Sequence, residues 1–190
     1  GRFSKEQKEI YELVLSAQQT AMKAVKPGND FMEPNRAAMK VLAHGLEKLG
    51  ILPTSAEEAL KDENQFYRRY SLHNVSHMLG LDVHDCAQAR AETYKFGKLK
   101  AGILLTIEPG LYFQTDDLTV PAKYRGIGIR IEEIGMTVRE GASLHILAGH
   151  ANRRTLCQQR SVGQQFGLRP SQHFIIKEGG LPVFQQFLNL

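Results

Sequence analysis

HNVSHMLGLDVHD, residues 73–85, is the stretch that says most about the fold and chemistry of this chain. Its three histidines, His73, His77 and His84, fall within twelve positions, among residues that are typical of buried strand and loop. Imidazole is the commonest metal-binding side chain, and it can also transfer a proton near neutral pH. The stretch therefore predicts a metal-binding or proton-transferring site.

Two glutamates downstream extend this predicted site. Glu108 follows an apolar run in LLTIEPG, residues 104–110, and Glu132 follows another in GIRIEE, residues 128–133. One histidine with two carboxylates is a hard donor set, which suits Mn, Co or Zn better than the metals that prefer thiolates. The pattern is typical of a metal-dependent hydrolase.

Each of these residues also has an ordinary interpretation. A single histidine is more often a hydrogen-bonded structural residue than a ligand, and a glutamate after an apolar run is commonly a solvent-facing strand end. Arg130 could simply pair with Glu132 or Glu133, and surface pairs of that kind contribute little to stability. The order and flanks of the motifs, taken together, favour the site.

Composition and charge exclude several classes of partner. The net charge of +4 belongs to residues 145–190, which hold five basic residues against Glu178, whereas residues 1–144 hold 19 basic and 19 acidic residues. No recognisable binding element with stacking aromatics accompanies that charge, so the sequence predicts no nucleic-acid partner. No apolar run approaches the roughly 20 residues that span a bilayer, so it predicts no membrane partner.

The two cysteines bear on the cellular compartment. Cys86 and Cys157 lie far apart and in no ligand-like spacing. They indicate a reducing compartment rather than a disulfide framework. The sequence therefore predicts a cytoplasmic protein.

The first part of the chain has the spacing of helices. Ser4 and Gln7 fit a capping box, and apolar residues follow at helical intervals as far as Val25. A second helix is predicted over residues 34–49, with Gly50 as its left-handed cap. Ser55 opens a short polar helix that is expected to continue into the low sixties.

The later part alternates with a period of two. Ile103, Leu105 and Ile107 alternate with more polar neighbours, and the same pattern recurs over residues 127–132. Alternation sends the two series to opposite faces of a strand, so Arg130 and Glu132 are expected to share one face. Helices followed by strands predict an α+β architecture.

Three motifs in order resemble those of the M24 metallopeptidases, the family with the pita-bread fold, and most closely its aminopeptidase P branch. Residues 73–85 resemble the histidine signature, residues 105–112 the first glutamate motif and residues 125–133 the second. The resemblance spans roughly residues 1–144. It implies a partial pita-bread domain, α+β, in which helices pack on a curved antiparallel sheet.

The resemblance implies a metal centre. His77, Glu108 and Glu132 would be ligands to divalent ions, two in the intact family site, with Glu132 bridging them. Mn is the expected metal, with Co and Zn as alternatives. Such ions lower the pKa of a bound water and stabilise a developing oxyanion.

The resemblance also assigns roles in catalysis. Glu108 would act as the general base, and His84 would stabilise the tetrahedral intermediate or move a proton. His73 would contact the substrate, and Arg130 would steady the ligands. The expected substrate is a peptide with proline in second position, which loses its N-terminal residue. Proline matters because its tertiary amide lacks an N–H.

The chain departs from the family pattern at both ends. Two further aspartate ligands are expected upstream of Gly1, so this chain alone is expected to bind metal weakly and to be inactive or nearly so. Residues 145–190 differ in charge and composition from residues 1–144. They are interpreted as a tail of unassigned origin, either foreign sequence or a disordered extension.

Two alternatives remain open. The same ligand set occurs in prolidase, which cleaves Xaa-Pro dipeptides, whereas aminopeptidase P prefers longer chains. The second alternative is a non-catalytic M24-like binding module that has lost its metals. A homo-oligomer is possible for the full-length protein.

Overall fold

The computed structural model describes residues 2–81, 84, 91–136, 154–158 and 174–175. Cys86 and most of the predicted tail lie outside the described residues. The division of the chain after residue 144 stays a prediction. Within the described part, no helix combines the length and the apolar character that crossing a membrane would require.

The first helix, α1, spans Lys5–Ala24, and its capping box is confirmed. The Ser4 hydroxyl accepts the Gln7 backbone N–H at 3.2 Å, and the Ser4 backbone N–H donates to the Gln7 side chain at 3.0 Å. These two bonds satisfy donors that the start of a helix otherwise leaves unpaired.

Two further α-helices follow. Helix α2 spans Glu33–Lys48, with Pro34 in its first turn and Gly50 at φ +68° beyond its end. Helix α3 covers only Ala56–Ala59 and is shorter than predicted. After its cap at Leu60, residues 61–65 are all polar, and a helix with no apolar face gains nothing from packing.

Strands β1 Leu104–Ile107 and β2 Gly110–Tyr112 pair antiparallel with successive parts of β3, Gly128–Met136. The register is the same on both sides of the break between β1 and β2, which places Glu108 opposite Glu132. Strands β4 Arg154–Gln158 and β5 Phe174–Ile175 continue the antiparallel sheet beyond β3. Short 3₁₀ turns complete the described elements: Phe66–Arg69, Ala91–Thr93 and Ala122–Tyr124.

The histidine stretch lies along the other edge of β1. Backbone N–H groups of Leu79, Thr106 and Glu108 donate across this edge at 2.8–3.0 Å, to Leu104, His77 and Val75 respectively. His77 therefore lies beside Thr106 at this edge of β1.

The molecule has two layers. Residues at alternate positions of β1 and β3 face the helices and are fully buried there, namely Leu105, Ile107, Ile129 and Ile131. Gln18 of α1, also buried, donates to the Glu133 carboxylate at 2.8 Å and ties the helix to β3. The intervening residues, including Thr106 and Arg130, emerge on the opposite face of the sheet.

One ion pair holds the loop between β2 and β3, and it gives a pH-dependent prediction. The Arg69 guanidinium donates to the Asp117 carboxylate at 2.8 Å, and both the hydroxyl and the backbone N–H of Thr119 donate to it as well. These bonds, that of Arg69 foremost, hold the pKa of Asp117 well below its usual range. Such a carboxylate stabilises the fold above its unfolded pKa of about 3.9 and loses that contribution as pH falls through the folded value.

Asp117→Asn is therefore expected to lower the free energy of unfolding by about 1 kcal/mol at pH 7. The difference in the free energy of unfolding between this variant and wild type should become smaller as pH falls below about 4. Urea unfolding at pH 7 and pH 3 measures it, with the exposed neighbour Asp116→Asn as control. A gap of equal size at both pH values would contradict this role for Asp117.

Candidate active site

The site is built on the face of the sheet that turns away from the helices. Glu108 follows β1 directly and is 7% exposed, and Arg130 and Glu132 alternate along β3. Arg130 Nη2 lies 3.5 Å from a Glu132 carboxylate oxygen, which confirms that the two share a face. The strand period alone explains this placement.

His77 and Glu108 meet directly. The Nε2 atom of His77 lies 3.1 Å from Glu108 Oε1, and the Nδ1 atom lies 3.1 Å from the carbonyl oxygen of Met78. A carbonyl can only accept, so Nδ1 carries the proton and Nε2 is the nitrogen directed at Glu108. This backbone contact fixes the ring as an orienting hydrogen bond does in metal sites.

The spacing of these two atoms fits a shared ion. Two donors at ~2.1 Å from one ion, at right angles to each other, lie ~3.0 Å apart. The 3.1 Å between His77 Nε2 and Glu108 Oε1 agrees with this geometry. The imidazole and carboxylate donors also match the chemistry of Mn, Co and Zn.

Arg130 stands between the two glutamates. Its Nη1 atom lies 3.2 Å from Glu108 Oε2, while Nη2 approaches Glu132. Among the described residues, the ligand atoms of His77, Glu108 and Glu132 do not all come within 4.8 Å of one another. Two facing carboxylates repel, and the guanidinium between them supplies the positive charge that they need.

The charges at this face shift the pKa values of the paired groups. Burial lowers the pKa of His77, but its hydrogen bonds to Glu108 and the Met78 carbonyl leave that pKa raised overall. Burial raises the pKa of Glu108, but the His77 bond and the nearby Arg130 leave that pKa lowered overall. Glu108 is therefore ionised near neutral pH, and its contact with His77 favours the imidazolium form of that ring.

His73 lies at the edge of the site and contacts Tyr112. Its Nδ1 atom lies 2.9 Å from the Asn74 carbonyl oxygen, and its Nε2 atom lies 2.8 Å from the Tyr112 hydroxyl. In the neutral ring Nδ1 carries the proton, so Tyr112 donates to Nε2. Burial raises the pKa of Tyr112 to about 12, so the phenol stays protonated. Gly110 lets the phenol approach, since a Cβ there would come within 2.6 Å of its oxygen.

His84 lies beside His77, near the end of the histidine stretch. Its ring centroid lies 4.5 Å from that of His77, edge to face, and the residue is exposed. All the predicted site residues thus belong to one surface: His73, His77, His84, Glu108, Arg130 and Glu132.

Three residues of this region were not predicted. Thr106 bonds both His77 and Glu108, and Tyr112 bonds His73. Thr106 stands two positions before Glu108, so strand alternation could have identified it. Asn35 accepts the Val75 backbone N–H at 3.2 Å from helix α2, and no local pattern in the sequence indicates that contact.

Asn35 gives a stability prediction. It is 7% exposed, and its side-chain oxygen is the partner of a buried N–H in the histidine stretch. Asn35→Leu is expected to lower the free energy of unfolding by about 1–3 kcal/mol, because the Val75 N–H loses its partner. Chemical denaturation measures the loss, with Gln19→Leu, at an exposed position of α1, as comparison. Hydrogen exchange at the Val75 amide should be faster in Asn35→Leu than in wild type. An unchanged exchange rate would contradict the hydrogen bond between Val75 and Asn35.

A second group of possible ligands lies on the helical surface. His44, Glu47 and Glu57 bring their ligand atoms within 4.8 Å of one another, and all three residues are exposed. The His44 ring has one carboxylate near each nitrogen, at 4.0 and 3.7 Å. These contacts are those of ordinary surface pairs, and no buried donor points to an ion among them.

Residues 1–139 match the sequence pattern of metallopeptidase family M24. The chain belongs to this family. The match contains all of the site residues described above, and it confirms the resemblance that the three motifs indicated.

Relatives within M24 are named Xaa-Pro aminopeptidases. Xaa-Pro aminopeptidase 1 of Streptomyces coelicolor is 48% identical over 141 residues, which cover 74% of this chain and 28% of that protein. The Escherichia coli Xaa-Pro aminopeptidase is 39% identical over 133 residues, 70% of this chain and 29% of that protein. The chain thus spans less than a third of the length of these M24 relatives.

Solved structures confirm the fold. The aminopeptidase PepP of Pseudomonas aeruginosa matches with a TM-score of 0.68 at 38% identity, over 75% of this chain and 32% of that one. The predicted fold class, a partial pita-bread domain of the α+β class, is therefore confirmed for this M24 chain.

Proposed function

We propose that this chain is part of the catalytic domain of a metal-dependent Xaa-Pro aminopeptidase. The observation that carries the proposal is the meeting of His77 and Glu108 at ion-binding distance, opposite Glu132, in an M24 chain. The names of the relatives supply the reaction: release of the N-terminal residue from peptides with proline in second position.

His77, Glu108 and Glu132 would hold the metal. We propose Mn as that metal and two ions in the complete site, with two aspartates from the rest of the protein as the remaining ligands. When bound, the ions supply Lewis acidity, which lowers the pKa of a water and stabilises negative charge on the carbonyl oxygen. Three of the ligands that this requires lie on this chain.

The other residues of the face act on substrate and protons. Glu108, held ionised by His77 and Arg130, can accept a proton from the attacking water. His84 is exposed beside His77, where it can donate to an oxyanion or move a proton. The Tyr112 hydroxyl holds the His73 ring in one orientation, so that the same side of the ring can contact the peptide.

The test uses the full-length protein that contains this sequence. We expect Mn²⁺-dependent release of the first residue from an Xaa-Pro-Xaa tripeptide and none from the matching Xaa-Ala-Xaa tripeptide. A chelator should abolish the activity, and Mn²⁺ should restore it. Residues 1–190 alone should show no more than a trace. Robust turnover by this chain would contradict its proposed dependence on further ligands.

The substrate length decides between the two peptidases of this kind. Turnover that rises from the Xaa-Pro dipeptide to longer peptides supports an aminopeptidase. Turnover confined to the dipeptide would make the protein a prolidase. No turnover of either, with the metal bound, would favour a binding module.

We further propose a cytoplasmic location and a homo-oligomeric full-length protein. The location rests on two cysteines in neither disulfide nor metal-ligand spacing. Fractionation of cells and sedimentation of the full-length protein test these two points.

A further inference from the structure

Thr106 occupies the centre of the site without being one of its predicted ligands. It lies in β1, two positions before Glu108, and only 1% of its surface is exposed. Its hydroxyl oxygen lies 3.1 Å from the backbone nitrogen of His77 and 3.0 Å from Glu108 Oε1. One buried hydroxyl thus contacts both residues that would share an ion.

The direction of both hydrogen bonds follows from the chemistry of the partners. The His77 N–H can only donate, and the Glu108 carboxylate can only accept. Thr106 therefore accepts from His77 with a lone pair and gives its single proton to Glu108 Oε1. The hydroxyl connects the backbone of one residue to the side chain of the other.

This connection selects one oxygen of Glu108. Oε1 receives the Thr106 proton and faces His77 Nε2, while Oε2 faces Arg130. A glutamate side chain has three rotatable bonds, and ordering them costs free energy. The threonine is itself restrained, because its branched Cβ limits rotation about the first bond of the side chain.

We propose that Thr106 is a positioning residue, whose hydroxyl sets Glu108 Oε1 beside His77 Nε2 so that the two can bind one divalent ion. This inference rests on the proposed metal site. Partners that orient the ligands of an ion are typically worth 10–100-fold in metal affinity.

Calorimetric titration of Mn²⁺ into the full-length protein that contains this sequence tests the inference with three variants. Thr106→Val removes the hydroxyl and keeps the shape, and is expected to weaken binding by about 10–100-fold. Thr106→Ser restores the hydroxyl and should stay within about threefold of wild type. Thr20→Val serves as control, since that hydroxyl bonds only the Ser16 carbonyl on α1. Wild-type affinity in Thr106→Val would overturn the inference.

Urea unfolding without metal separates positioning from simple support of the fold. A structural role alone would lower the unfolding midpoint of Thr106→Val but leave the affinity of its folded molecules unchanged, which would overturn the inference. If the valine variant does not fold, Thr106→Ala replaces it in the same comparison with Thr106→Ser.

A second readout distinguishes failure of this inference from failure of the proposed function. If the wild-type full-length protein binds no Mn²⁺, the metal centre proposed here is refuted. The ¹⁵N resonances of the His77 ring, recorded without metal at one pH, then decide the role of Thr106. Resonances that move in Thr106→Val and return in Thr106→Ser support positioning, and resonances that do not move overturn it.

Discussion

Glu132→Gln is expected to lower the Mn²⁺ affinity of the full-length protein that contains this sequence by about 100-fold or more, whereas Glu133→Gln leaves it unchanged. The two glutamates are neighbours in β3 and differ in the face that they occupy. Glu132 pairs with Arg130 on the site face, and Glu133 accepts from Gln18 of α1 on the other. The amide oxygen of glutamine carries no net charge and holds a divalent cation more weakly than a carboxylate, so the exchange weakens a ligand only at position 132.

Titration calorimetry of the two variants beside wild type measures this effect. Glu133→Gln is a demanding control, because it makes the same chemical change on the same strand, one residue away. Equal losses in both variants would mean that the change acts through the stability of β3. No loss in Glu132→Gln would remove that residue from the proposed metal site.

Arg130→Met is expected to lower the free energy of unfolding of the metal-free chain by about 1–3 kcal/mol at pH 7. Arg130 separates two carboxylates that face each other across β1 and β3, and the buried Glu108 loses a cation that lowers its pKa. The unfolded-state pKa of a glutamate is about 4.3, and a depressed folded value stabilises the fold only above it. The loss should therefore shrink as pH falls below about 4.

Mn²⁺ should reduce the loss of unfolding free energy in Arg130→Met, because a bound cation can neutralise the same carboxylates. Urea unfolding with and without Mn²⁺ measures both effects. Lys61→Met is the comparison, since its pair with Glu58 is exposed and pairs of that kind contribute little to stability. A loss in Arg130→Met no larger than that in Lys61→Met would show that the guanidinium is not needed between the carboxylates.

Local patterns in the sequence predicted part of this arrangement well. The capping box at Ser4 and the strand alternation that put Arg130 and Glu132 on one face both depend on residues close in the chain. Helix α3 was overextended in the prediction, because a capping signal fixes where a helix begins and says nothing about its length. Assignment of the ligands themselves required the likeness to a family, since a single histidine or glutamate has no distinctive pattern.

Contacts between distant residues could not be predicted from the sequence. Asn35 binds Val75, which lies 40 positions away in the sequence, and Gln18 binds Glu133, which lies 115 positions away. The facing of Glu108 and Glu132 depends on which residues pair between β1 and β3, and alternation does not determine that register. The two contacts of the Thr106 hydroxyl, with His77 and with Glu108, depend on how the histidine stretch lies against β1.

The unbroken register across Glu108 and Pro109 limits where this chain can change its length. One residue added to β1, or to β3 before Glu132, would turn one of the two carboxylates towards the helices, where isoleucines pack, and would separate the acidic pair. Residues 114–119 lie in the connection between β2 and β3, outside the paired residues. We therefore expect insertions to be tolerated in this loop and to be destructive within the strands.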